Sequence, residues 1–141
     1  MKSFLALCCI AASLLLAGCS KSLESQVTGT WEDNNKQTMV LNADKSFTAG
    51  TGGASIGGKW NVKDEKTIAL DVETIGGKPK KQAMDELLKM AAAALPKDKF
   101  EAEKKKAEDQ INNLALSYDA EKHTLTLNNV GNQTVTFTKK S

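Results

Sequence analysis

The stretch Thr67-Ile68-Ala69-Leu70-Asp71-Val72-Glu73-Thr74 decides the fold. Ile68, Leu70 and Val72 share one parity, while Ala69, Asp71 and Glu73 share the other. Successive side chains of a strand point to opposite faces, so this segment has one dry face and one wet face. An antiparallel sheet or a small barrel needs that pattern, whereas a strand buried on both faces would read as a continuous apolar run.

The same grammar extends outward on both sides. Lys63-Asp64-Glu65-Lys66 turns the chain before this strand, and Ile56, Trp60 and Val62 share one face of the strand before that turn. Further back, Met39 and Leu41 alternate with Thr38 and Val40, and Asn42-Ala43-Asp44-Lys45 makes a tight hairpin into Phe47 and Ala49. Asp33-Asn34-Asn35-Lys36 is turn chemistry after a first strand at Thr30-Trp31-Glu32. Late in the chain, Leu114, Leu116 and Tyr118 alternate with Ala115, Ser117 and Asp119. Leu125 and Leu127 then lie opposite Thr124 and Thr126, and Val135 and Phe137 lie opposite Thr134, Thr136 and Thr138. These Thr rows suit a solvated strand face, being β-branched yet polar. Consecutive hairpins without βαβ alternation predict a mainly β protein, an antiparallel up-and-down barrel of about eight strands.

Residues 79–113 break the period of two. Met84, Leu87, Leu88, Ala91 and Leu95 recur at helical spacing after Pro79, and Pro96 stops the run. Asp98 and Glu101 have the spacing of a capping box for a second helix, whose thinner apolar stripe is Phe100, Ala107, Ile111 and Leu114. The segment reads as a two-helix hairpin inserted into the barrel. Its stripe either packs on the core or covers a barrel mouth, with Met84, Leu88 and Leu95 as lid residues.

Composition narrows the partners. The 141 residues carry 19 basic side chains, all Lys, against 17 acids, a net charge of +2. Nucleic-acid binding needs a clustered positive excess, so this balance argues against it. The absence of Arg removes the side chain best suited to bidentate recognition of phosphate or carboxylate.

The amino terminus supplies an address. Lys2 precedes an apolar run over residues 4–16, which ends in Leu16-Ala17-Gly18-Cys19. Thirteen helical residues rise only about 20 Å against a hydrocarbon core of about 30 Å, so the run is too short to span a bilayer. The four-residue ending resembles the lipobox of bacterial lipoproteins. That resemblance implies a signal peptide over residues 1–18, cleavage before Cys19, and acylation (palmitate or a related chain) of the Cys19 thiol as membrane anchor. Cys8 and Cys9 leave with the leader, so Cys19 is the only cysteine kept. Ser20 follows it, not the Asp that in Gram-negative members signals retention at the inner membrane. The resemblance therefore implies the outer membrane, with the domain facing the periplasm, if the source is Gram-negative. Residues 19–26 read as the lipidated cysteine and a short polar tether, and residues 27–141 as one domain.

Gly29-Thr30-Trp31 resembles the Gly-x-Trp motif that opens the first strand of lipocalins, and Gly58-Lys59-Trp60 reads as a second such strand start. The stretch 29–72 looks like the small lipocalin-like domains of many bacterial lipoproteins. Lipocalins usually pack a late Arg over the first-strand Trp, and this chain has none; they also place their main helix after the last strand. The resemblance implies a calycin-like barrel and assigns no ligand.

Chemistry-bearing residues are sparse. His123, the only histidine, shares parity with Leu125 and Leu127 and so falls either in a turn or at the inner rim of the barrel. No motif supplies it with a partner for general-base or nucleophilic work, and a lone His without a retained thiol builds no usual zinc site. Residues 50–58 hold five of the ten glycines but lack the Gly-Lys-Ser/Thr ending of a phosphate loop, which favours a hairpin loop or a barrel-corner bend. Lys104-Lys105-Lys106, flanked by Glu103 and Glu108, reads as a solvated helix face or as a contact for anionic lipid. No catalytic residue, metal or cofactor is expected. Two functions stand: a lipid-anchored, non-enzymatic envelope protein that binds a small apolar ligand inside the barrel, or an interaction or inhibitor module that binds another envelope protein through the hairpin or loops. The wall of the pocket is assigned to Trp31, Met39, Phe47, Trp60, Leu70, Leu116 and Phe137.

Overall fold

The computed structural model describes residues 21–50, 55–130 and 133–141. Leu16-Ala17-Gly18-Cys19, with the expected lipid attachment, and residues 51–54 of the glycine-rich run lie outside the described residues. The elements are α1 (Leu23–Val27), β1 (Gly29–Glu32), β2 (Thr38–Leu41), β3 (Ser46–Gly50), β4 (Ile56–Val62), β5 (Thr67–Ile75), β6 (Lys78–Pro79), α2 (Lys80–Ala94), α3 (Lys97–Asn112), β7 (Ala115–Asp119), β8 (Thr124–Val130) and β9 (Gln133–Lys139).

The strands form one antiparallel sheet in the order β4-β3-β2-β1-β9-β8-β7-β5-β6, and pairing of β4 with β5 closes eight of them into a barrel. The expected up-and-down barrel with an inserted helical hairpin is present, with β6 as an added two-residue strand on the outer edge of β5. Alternation places Ile68, Leu70 and Val72 inside, each at most 3% exposed, while Asp71 and Glu73 face water. Closure removes free sheet edges, which is how a small all-β domain avoids edge-to-edge association.

β5 outlasts its neighbour. It pairs with β7 only over Thr67 to Ala69, and its far end pairs with β6 through Thr74 and Ile75. The hairpin α2–α3 leaves from that far end. The opposite end of the barrel gathers the turns at 42–45, 63–66 and 119–123, as the registers Leu41↔Phe47, Val62↔Ile68 and Asp119↔Thr124 require.

That turn end also carries α1, where the sequence reading needs correction. The segment 20–26 is not a tether throughout: it folds from Leu23 onward, with Ser22 as N-cap accepting from the Ser25 amide at 3.3 Å. Leu23 and Val27 stand four apart, on one helix face, and both pack on the core; Val27 is fully buried. The indole Nε1 of Trp31 donates to the Val27 carbonyl at 2.7 Å, and Tyr118 OH donates to Gln26 Oε1 at 3.3 Å. Lys139, at the end of β9, sets its Nζ 5.5 Å from the Trp31 ring centroid.

Four of the turns are built alike. Asp33, Asp44, Asp64 and Asp119 each turn a carboxylate oxygen onto backbone amides two to four residues ahead, at 2.8–3.0 Å. These Asx contacts close the turns without help from tertiary packing. In the glycine-rich run, the register of β4 on β5 shifts between Gly57 and Gly58, which is a barrel-corner bend.

The helices match residues 79–113 in extent but not in their caps. Pro79 and Pro96 themselves occupy the N-cap positions, and no side chain caps either helix. The capping box assigned to Asp98 and Glu101 does not form. Pro96 is extended at φ −57° and ψ 145°, the helix starts directly after it, and Asp98 lands inside the first turn. There its charge complements the helix dipole.

Candidate binding cleft between hairpin and barrel

The seven wall residues assigned from the sequence do come together. Trp31, Met39, Phe47, Trp60, Leu70, Leu116 and Phe137 are 0–4% exposed and belong to one cluster with Val27, Leu41, Ile68, Val72, Tyr118, Leu125 and Leu127. Trp31 meets Tyr118 edge to face, with ring centroids 6.3 Å apart. Trp60 donates to the Asn42 carbonyl at 3.0 Å and carries the Lys45 ammonium 4.2 Å from its ring centroid. The inside of the barrel is thus organised as a hydrophobic core. Leu70 also borders a polar cleft with Asn112 and Asn113; the other six line none of the clefts described below.

An apolar cleft of about 350 Å³ lies where the hairpin meets the far end of the barrel. The barrel contributes Ile56 from β4, Leu127 from β8 and Leu114 ahead of β7; α2 contributes Met84 and Leu87, and α3 contributes Ala107, Gln110 and Ile111. Among the described residues, Gln110 is the one polar side chain on its wall. Lys80 Nζ donates to Asn112 Oδ1 at 3.2 Å, tying the start of α2 to the end of α3 beside the cleft. Lys78 and Glu86 form an ion pair at the base of α2, and that lysine holds the Glu86 carboxyl below its usual pKa.

The lid residues separate. Met84 lines the apolar cleft and also a neighbouring groove between the helices, where it meets Leu88 beside Asp85, Lys104 and Glu108. Leu95 caps the end of α2 in an extended conformation and is 38% exposed. Leu87 and Met90 are 49% and 64% exposed, so α2 buries only Ala83 and leaves much of its stripe open. Leu87, Ala107, Ile111 and Leu114 were legible as parts of the helical stripes; Ile56 and Leu127 were legible only as strand residues, because their meeting with the helices is a long-range contact.

His123 is exposed at φ +50°, in the turn entering β8. Parity with Leu125 does not carry it to an inner rim, because the left-handed residue breaks the alternation. Its Nδ1 lies 3.4 Å from Tyr118 OH. Lys105 and Lys106 are exposed on α3. Among the described residues, no three His, Cys, Asp or Glu side chains gather as metal ligands, and no helix is long and apolar enough to cross a membrane. Comparisons with protein-family models, with curated proteins and with solved structures found no match to this chain.

Proposed function

We propose that the protein is a lipid-anchored, non-enzymatic component of the bacterial cell envelope, held by an acylated Cys19, which binds a small apolar ligand. In a Gram-negative cell it faces the periplasm from the outer membrane. The lipobox resemblance supports the anchorage. The observation that supports ligand binding is the apolar cleft bounded by Ile56, Leu127, Met84, Leu87 and Ile111. Its volume of about 350 Å³ falls in the lower part of the range of small-molecule sites, about 300–1,000 Å³. The site is moved from the barrel interior to its far mouth, since the interior side chains pack on one another. Gln110 gives an otherwise apolar ligand one hydrogen-bonding group.

Titration of the mature protein with an apolar fluorophore, then displacement by fatty acids of graded length, tests the ligand. Saturable binding that weakens in Met84→Lys is expected; no saturable binding of any of these probes removes the ligand reading. Anchorage is tested separately, through the acyl mass on the amino-terminal peptide and release of Cys19→Ala from the membrane fraction.

A second reading, an interaction module for another envelope protein, draws on the exposure of Leu87, Met90 and Leu95 along α2. Crosslinking in intact envelopes through a photoreactive residue at position 90 should then trap one stoichiometric partner. A blank lane would retire it.

A further inference from the structure

We infer that the barrel stands on the membrane with its α1 end against the lipid headgroups and its helical hairpin pointing away. This orientation rests on the proposed anchorage at Cys19.

Three observations fix it. First, α1 is clamped to the barrel and does not hang from it. The Val27 carbonyl accepts from Trp31 Nε1, the Gln26 carbonyl accepts from Lys139 Nζ, both at 2.7 Å, and Glu24 pairs with Lys45 of the β2–β3 turn. Only Ser20, Lys21 and Ser22 then separate Cys19 from the helix, and such a link reaches about 10 Å when extended. An anchor that short cannot let the domain roll freely.

Second, the surface around α1 suits a headgroup layer. The turns at 42–45, 63–66 and 119–123 share that end, and their exposed side chains, Ala43 and Ala120 apart, are charged or polar, Lys63, Lys66 and Lys122 among them. Lys139 and Lys140 close β9 at the same end. Acidic Asp44, Asp64 and Asp119 alternate with these lysines, which favours contact with headgroups and not insertion among acyl chains.

Third, the hairpin leaves from the other end, beyond Ile75. A nine-residue strand such as β5 runs about 30 Å at about 3.3 Å per residue. Tilted by about 40° as barrel strands are, it separates the two ends by more than about 20 Å. The apolar cleft therefore opens towards the aqueous phase, and its ligand arrives from solution or from a carrier, not by lateral entry from the bilayer beneath.

Because Cys8 and Cys9 belong to the leader and Cys19 is blocked by lipid, one introduced cysteine labels one place. Glu65→Cys reports the turn end and Met90→Cys the far end, both exposed positions. The lipidated variants carry a fluorophore and are reconstituted in phosphatidylethanolamine/phosphatidylglycerol vesicles with nitroxide-labelled headgroups. Quenching at position 65 is expected to exceed that at position 90 several-fold. Inserting a long Gly/Ser segment after Ser20 should bring the ratio towards one. Equal or reversed quenching in protein that carries the acyl mass overturns the orientation alone, as does a ratio that ignores the insertion. Protein without acyl mass and outside the membrane overturns the anchorage, and the orientation with it.

Discussion

The Lys139 ammonium stands 5.5 Å from the Trp31 ring centroid while donating to the Gln26 carbonyl at 2.7 Å, so the last strand clasps the first strand and α1 together. Gly29 makes room for this: its φ is +136°, and a Cβ there would sit 3.0 Å from Lys139 Cε. A cation over an indole is worth about 0.5–1 kcal/mol at an exposed site, and the hydrogen bond adds a comparable amount. Lys139→Ala should lower the unfolding free energy by about 1 kcal/mol, read from urea midpoints. Lys139→Arg should keep most of it, since guanidinium stacks on the same face. An unchanged midpoint in Lys139→Ala would show that the clasp contributes nothing.

The Asx turns make stability depend on acid. Asp44 is held below the usual Asp pKa chiefly by the Ser46 hydroxyl, Asp64 by the Lys66 amide and Asp119 by the Lys122 amide. Folded-state values below unfolded ones mean that these carboxylates contribute stability above the unfolded Asp value, about 3.9, and lose it as pH falls through the folded values. The triple variant Asp44→Asn, Asp64→Asn, Asp119→Asn keeps an accepting oxygen but not the charge. Its denaturation midpoints should fall less steeply below about pH 4 than those of the parent. Superimposable pH profiles would assign the acid sensitivity to other groups.

Gly58 sets the corner of β4. A Cβ at this position would lie 1.9 Å from the Asp71 carbonyl oxygen and 2.9 Å from the Glu73 nitrogen, both backbone atoms of the paired strand. Neither atom can rotate away, so Gly58→Ala must open the β4–β5 seam that closes the barrel. The expected loss is about 3 kcal/mol, at the upper part of the range for overpacking. Gly77→Ala is the control: it has φ +76° but open space around it, so only its turn strain is felt. Equal losses in the two variants would remove the steric argument.

The barrel was legible in the sequence because its strands state their two faces locally: Ile68, Leu70 and Val72 against Asp71 and Glu73 is a pattern that water and core enforce residue by residue. The hairpin was legible because Pro79 and Pro96 bracket helical periods. α1 was not. Five residues hold too little of a period to detect, and besides the nearby Trp31 its reasons to fold are Tyr118 and Lys139, distant in sequence from Gln26. The same limit hid the cleft, whose walls join residues as far apart as Ile56 and Leu127. Parity left His123 open between a turn and the inner rim, because nothing in a single sequence announces φ +50° at a non-glycine residue. The placement of Lys139 over Trp31 was likewise invisible, because the two residues meet only when the last strand pairs with the first.

The cleft can be separated from the exposed helix face by two substitutions on α2. Met84 lines the cleft and is half-buried, whereas Met90 is 64% exposed and lines no cleft described above. A charge at position 84 is desolvated by Ile56, Leu114 and Leu127, so Met84→Lys should weaken apolar probe binding at least tenfold, equivalent to about 1.4 kcal/mol. Met90→Lys places its ammonium in water and should leave probe affinity within about twofold, while removing apolar area from the surface that a protein partner would cover. Circular dichroism and urea midpoints identify a Met84→Lys protein that has lost its fold; Met84→Ala, which enlarges the cleft without a charge, then serves in its place and should shift the preferred fatty-acid length upward. If Met90→Lys abolishes probe binding while Met84→Lys and Met84→Ala leave it intact, the ligand site is not the cleft between hairpin and barrel. If crosslinking from a photoreactive residue at position 95 disappears in Met90→Lys while probe binding persists, the hairpin serves a protein partner through its open face and a ligand through its buried one.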